Sequence, residues 1–145
     1  MYDYKTGSTS WYADLGPENP VGGGTRLQLP VYALAARAAA GADERTPVEA
    51  YYWFVGKGEN ALIGYEVDDE VEAAFDTALR TIVDGIDAGC FPAFPVAPGP
   101  RPFVACHYCD PDGLGTADVW RAWERKQHAP AVAPFLALAG EEADA

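Results

Sequence analysis

Close to the start of this 145-residue chain, Asp3-Tyr4-Lys5-Thr6-Gly7 sets an acid and a lysine one residue apart. Side chains alternate along a strand, so Asp3 and Lys5 would share one face of it. A carboxylate there can hold a divalent cation, and a neighbouring ammonium can polarise a water or a phosphate oxygen. Taken alone, the triplet is equally an ordinary charged edge strand. A second pair, Gln28 and Tyr32, is spaced to lie on one face of a helix. By themselves these two read as a cap and a half-buried aromatic. A third group, Cys106-His107-Tyr108-Cys109, has the spacing of a metal knuckle or a redox pair rather than of a structural disulfide.

The elements that must carry these groups follow from pattern. Residues 1–5 read as a strand that ends in the Thr-Gly turn. Residues 8–24 are rich in Ser, Gly, Pro and Asn and read as a flexible surface loop, either facing a substrate or serving as a plain linker. Thr25-Arg26-Leu27-Gln28 has capping-box spacing, and an Ala-rich helix follows from Leu27 to Ala40 with Gly41 as its stop. Val48 to Val55 is apolar on both faces, as a central strand would be. A turn at Gly56-Lys57-Gly58-Glu59-Asn60 leads to a partner strand over 61–67.

Asp68-Asp69-Glu70 then puts acids in the first turn of a helix over 69–88. Its Val71, Phe75, Leu79, Ile82 and Ile86 form one packing face, and Gly89 ends it. Phe91 to Phe103 is proline-rich and extended, and a Gly-rich turn lies at 112–115. Thr116 is placed to cap a short helix, and Pro130 to Ala139 reads as a terminal helix before an acidic tail. The basic residues Arg121, Arg125 and Lys126 could face a DNA backbone, but pairing with Glu124 and other acids on a solvated face is the preferred reading. Cys90 sits among apolar residues and reads as a buried thiol.

Composition narrows the class. A 49 % hydrophobic share with 12 % aromatics suits one folded domain with its own core. The net charge of -12 argues against unaided, charge-driven gripping of nucleic acid, although a few bases could gather locally. No apolar run reaches membrane-spanning length and the start lacks a signal-peptide core, so a cytoplasmic location without membrane contact is expected. Three cysteines do not make a secreted disulfide framework.

In order along the chain, Asp3-Tyr4-Lys5-Thr6-Gly7, Leu27-Gln28-Leu29-Pro30-Val31-Tyr32 and Cys106-His107-Tyr108-Cys109-Asp110 resemble the C-terminal portion of a RecB/AddB-type nuclease domain of the PD-(D/E)XK superfamily. The resemblance implies an α/β fold: a restriction-endonuclease-like mixed sheet from strands 1–5, 48–55 and 61–67. Helix 26–40 would cover one face, helix 69–88 would pack nearby and the C-terminal region would wrap the outside. It further implies a nuclease-like domain over 1–127, with a terminal helix and acidic tail over 128–145. Asp3 would be a ligand of Mg²⁺ or Mn²⁺. Lys5 would activate the attacking water and steady the phosphate charge, with Gln28 and Tyr32 contacting DNA or bracing the lysine. DNA would be the substrate and a helicase subunit or domain a companion.

Two departures matter. The family places another acid and a histidine ahead of the D-x-K strand, whereas Asp3 is third in this chain, so the fold is expected to be incomplete at its N-terminus. Iron–sulfur members also carry a third cysteine where Gly115 stands here, so no cluster is expected and Cys106 and Cys109 read as a vestigial knuckle. A zinc site from Cys106, Cys109 and His128 would be one ligand short. The alternative to an enzyme is therefore a catalytically inactive nuclease-like module that binds DNA or docks a partner.

Overall fold

The structure, a computed structural model, describes residues 1–43, 45–56, 60–92 and 116–140. The element order is strand β1 (Tyr2–Lys5), a 3₁₀ turn (Thr9–Tyr12), helix α1 (Gln28–Ala39), strands β2 (Glu49–Phe54) and β3 (Ala61–Glu66), and helices α2 (Asp69–Asp87), α3 (Thr116–Lys126) and α4 (Ala133–Ala139). The chain divides into two compact units, Met1–Arg80 and Thr81–Ala145.

In the first unit the three strands form one mixed sheet in the order β1-β2-β3. Strands β1 and β2 run parallel with Asp3 opposite Tyr52 and Lys5 opposite Phe54, and β3 returns antiparallel to β2. A parallel pair needs a crossover between its strands. Here the crossover contains α1, which packs on β2. Leu29 and Ala33 of α1 meet Ala50, Tyr52 and Phe54 of β2, and Tyr65, Val67, Val71 and Leu15 complete this core.

The central position of β2 agrees with its apolar sequence, but only one of its faces is sealed. Ala50, Tyr52 and Phe54 are buried, whereas Tyr51 and Trp53 on the other face are half-buried. Tyr2 stacks on Tyr51, and Tyr4 lies against Trp53. These rings screen one another, which lets large aromatics stand on a face that the described residues do not cover.

The segment expected to be a flexible loop is instead built into the unit. Leu15, Pro20 and Val21 are buried, and the Tyr65 hydroxyl donates to the Pro20 carbonyl at 2.5 Å. Gly22, Gly23 and Gly24 take φ values of 52°, 60° and 86°, a left-handed run that only glycine adopts at little cost. A methyl group at Gly22 would also approach Arg26 Cγ to 2.6 Å.

The expected capping box does not form. Leu27 is the N-cap residue of α1 and makes no side-chain cap bond. Thr25 donates its hydroxyl to the Gly22 carbonyl at 2.7 Å, closing the glycine turn, and Gln28 turns its amide toward β1. Helix α2 begins as expected, with Asp68 accepting from the Val71 N–H at 2.9 Å. Its packing face is buried at Val71, Phe75 and Ala78, while Leu79 and Ile86 are exposed. Arg37 of α1 is buried and pairs with Glu72 of α2 at 2.5 Å, and its Nε has no hydrogen-bond partner.

In the second unit, Trp123 of α3 packs with Val132 and Leu136, and Cys90, Ala129 and Phe135 border the cluster. Cys90 is half-buried rather than buried, its thiol reaching the Ala131 carbonyl at 3.4 Å. Helix α4 ends on Gly140 in the left-handed conformation. Arg121, Arg125 and Lys126 are exposed. The hairpin turn at 57–59, most of the proline-rich stretch, Cys106 and Cys109, the Gly-rich turn, the Thr116 cap and the acidic tail lie outside the described residues or side chains.

Candidate active site

The structure brings all four of the residues singled out at the N-terminal end into one constellation. Asp3 and Lys5 occupy the same face of β1, the face that α1 covers. The Lys5 ammonium stands 2.9 Å from Asp3 Oδ2, with side-chain exposures of 24 % and 22 %. The approach lacks hydrogen-bond geometry, so Asp3 Oδ2 is buried without a hydrogen-bond partner. On its other side the ammonium donates to Gln28 Oε1 at 3.0 Å. Gln28 reaches the lysine because it is the first residue of α1 and faces the sheet. One turn on, Tyr32 accepts from Gln28 Nε2 at 3.0 Å.

Tyr52, which the sequence marks only as part of an apolar strand, completes the arrangement. Its hydroxyl donates to Gln28 Oε1 at 3.2 Å, and the Lys5 ammonium lies 4.7 Å from its ring centroid. The amide of Gln28 has one sensible orientation here: ammonium and phenol both present protons, so the oxygen must face them and the NH₂ must face Tyr32. Cation–π attraction and a charge-assisted hydrogen bond thus hold the lysine head between a ring, an amide oxygen and a carboxylate. Burial, followed by the neighbouring Tyr12 and Asp3, pushes the Tyr52 phenol up from 10 to about 12. At neutral pH it remains a hydrogen-bond donor.

A second layer extends from Tyr52 into the loop. The Tyr12 ring packs on the Tyr52 ring with centroids 4.8 Å apart. The Arg26 guanidinium lies 5.1 Å from the Tyr12 centroid and donates to the Trp11 carbonyl at 3.0 Å. Neither Tyr52 nor this layer was signalled by residue spacing. Tyr52 enters through the β1–β2 register, which sets it opposite Asp3, and register is a tertiary property.

The donor set fits a hard divalent cation at one position. Asp3 supplies a carboxylate, the ligand type that Mg²⁺ or Mn²⁺ prefers, although its Oδ2 is buried and already paired with the Lys5 ammonium. Among the described residues no group of three His, Cys, Asp or Glu could hold a metal, so Asp3 would be one ligand among several. Among the described residues no helix is long and apolar enough to cross a membrane.

An acid and a lysine thus share one strand face, with a glutamine and a tyrosine of the following helix linked to the lysine in turn. The model of the PD-(D/E)XK nuclease superfamily matches residues 1–112. The chain belongs to that superfamily, whose nuclease character implies DNA as the substrate. The three-stranded mixed sheet flanked by helices is consistent with the restriction-endonuclease-like fold. No curated protein and no solved structure matches the chain.

Proposed function

We propose that this chain carries the lysine-bearing part of a metal-dependent DNA nuclease that hydrolyses phosphodiester bonds, of the RecB/AddB type associated with recombination and repair helicases in the cytoplasm. The reading is supported by the order of the Asp3–Lys5, Gln28–Tyr32 and Cys106–Cys109 motifs. The single observation that carries it is the grip on the Lys5 ammonium, bounded by Asp3, Gln28 and the Tyr52 ring.

In this role the Lys5 ammonium donates a hydrogen bond from Nζ that orients the attacking water or meets a non-bridging phosphate oxygen as negative charge builds there. Gln28 and Tyr52 keep the ammonium from swinging toward solvent, and Tyr32 fixes the amide of Gln28. Asp3 is the residue that would hold Mg²⁺ or Mn²⁺, with waters and phosphate oxygens among the other ligands. A cation so held supplies Lewis-acid activation of water and neutralises charge on the phosphate. A second reading, an inactive nuclease-like module for DNA binding or partner docking, draws on the single carboxylate beside Lys5.

The deciding experiment is cleavage of linear DNA with Mg²⁺ or Mn²⁺, comparing the parent protein with Lys5→Ala. Loss of at least about 100-fold in rate, the usual scale for a group acting on transition-state charge, supports the catalytic reading. Equal measurable activity in both proteins removes Lys5 from catalysis, and absence of activity in both favours the inactive module.

A further inference from the structure

The residues that reach outward from the lysine carry a second assignment. Trp11 is 65 % exposed, yet it does not lie on a free strand of chain. It belongs to the 3₁₀ turn Thr9–Tyr12, capped by Ser8, whose side chain accepts from the Ser10 N–H. Its own carbonyl is held by Arg26 at 3.0 Å. Arg26 in turn lies over Tyr12, Tyr12 packs on Tyr52, and Tyr52 lies beneath the Lys5 ammonium. A series of contacts that begins at the Trp11 carbonyl and runs through Arg26, Tyr12 and Tyr52 therefore ties the turn bearing this exposed indole to the proposed cleavage site.

We propose that Trp11 is a stacking platform for an unpaired nucleobase of the DNA substrate, with Arg26 beside it as a contact for the adjoining phosphate. The inference rests on the nuclease reading and deepens it by naming the form of substrate. An exposed indole held by its backbone presents a flat π-face at little entropic cost, and every base offers a matching face. A base inside a duplex has both faces covered by its neighbours, so only a single-stranded or terminal base can take this position. The charge pattern agrees. Arg26 and Lys5 are cations on the same chain of contacts, and a stacked base brings its phosphate toward them.

The test measures binding apart from cleavage. A fluorescein-labelled single-stranded oligodeoxynucleotide is titrated with the protein in Ca²⁺, and anisotropy gives the affinity. Trp11→Ala is expected to weaken binding by roughly 5- to 100-fold, the range that one base–aromatic stack supports, while Trp11→Phe retains most of it. An abasic site moved along the oligonucleotide should weaken parent binding at one position and leave Trp11→Ala indifferent there. A closed circular duplex, which has neither an unpaired nor a terminal base, should bind the parent and Trp11→Ala alike. Unchanged affinity in Trp11→Ala, equal loss in Trp11→Phe, or no binding of the single strand by the parent overturns the proposal. Because the readout is affinity, a Lys5→Ala variant with undiminished cleavage would defeat the catalytic reading and leave this result standing.

Discussion

The amide of Gln28 is the joint at which the site can be tested without any assumption about substrate. Its oxygen accepts from the Lys5 ammonium at 3.0 Å and from the Tyr52 hydroxyl at 3.2 Å. Gln28→Leu keeps the bulk of the side chain but removes both acceptors. Tyr52 is 2 % exposed, so its hydroxyl loses its Gln28 acceptor with little access to water, at about 1–3 kcal/mol for an unsatisfied buried donor. Lys5 keeps Asp3 and partial access to water, so its loss is smaller, about 1 kcal/mol. The single change should therefore cost about 2–4 kcal/mol. Tyr52→Phe removes the hydroxyl together with its need for a partner and should cost about 1 kcal/mol. In the double variant no orphaned hydroxyl remains, so the combined loss should fall short of the sum by about 1–2 kcal/mol. Urea unfolding followed by far-UV circular dichroism on the four proteins measures this coupling. Strictly additive losses would show that the Tyr52–Gln28 contact does not organise the site, and the bracing role assigned to Gln28 would fail with it.

Two further expectations follow from buried groups. Tyr52 is raised from 10 to about 12 in the folded chain, so above pH 10 the unfolded chain gives up the phenol proton first; stability present below pH 10 is lost between pH 10 and 12, by about 2 kcal/mol for this group. Burial raises Tyr65 as well, so unfolding midpoints at pH 9 and 12 should show Tyr52→Phe losing less than the parent but not becoming indifferent. Glu72→Ala should destabilise by about 1–3 kcal/mol, because the buried Arg37 guanidinium loses its carboxylate and its Nε has no partner already. Glu72→Ala with Arg37→Met should recover part of that loss, and no recovery in thermal melts would mean that the pair does not link α1 to α2 energetically.

The sheet and its helices were legible in the sequence because their signals are local. The apolar run Val48–Val55, acids opening α2 and glycines after α1 and α2 each act within a few residues, and the observed bounds of the three strands, α1 and α2 differ from the expected ones by a residue or two. The resemblance implied that Gln28 and Tyr32 lie beside Asp3 and Lys5; an ion pair joins Asp3 to Lys5, and hydrogen bonds join Lys5 to Gln28 and Gln28 to Tyr32. What could not be read depends on pairing between distant segments. Tyr52 looks like any other strand aromatic until the parallel register sets it opposite Asp3. The capping box failed for a related reason: Gln28 has a stronger use beside an ammonium than beside a backbone N–H, and tertiary contacts outbid the local motif. Residues 8–24 look like linker by their Ser, Gly, Pro and Asn content, yet buried Leu15 and Val21 anchor them, and composition does not say which of a segment's few apolar residues reach the core.

The net charge of -12 bears directly on how such a site could engage DNA. At physiological ionic strength the screening length is about 8 Å, so acids on the far surface contribute little at the site, while they also supply no long-range attraction. Binding must then come from what stands within a few ångströms of the strand. On the described face that means the cations Lys5 and Arg26 and the rings of Tyr12 and Trp11. Two phosphate contacts on a single strand correspond to a log–log salt slope of only about -1.4, far shallower than that of a basic groove. On the proposed reading, stacking, which salt barely affects, would supply the remainder. An acidic nuclease-like chain with weak, salt-tolerant and Trp11-dependent affinity is thus a coherent combination. A steep salt slope would instead require a basic surface beyond these residues, and would move the main contact with DNA away from the lysine.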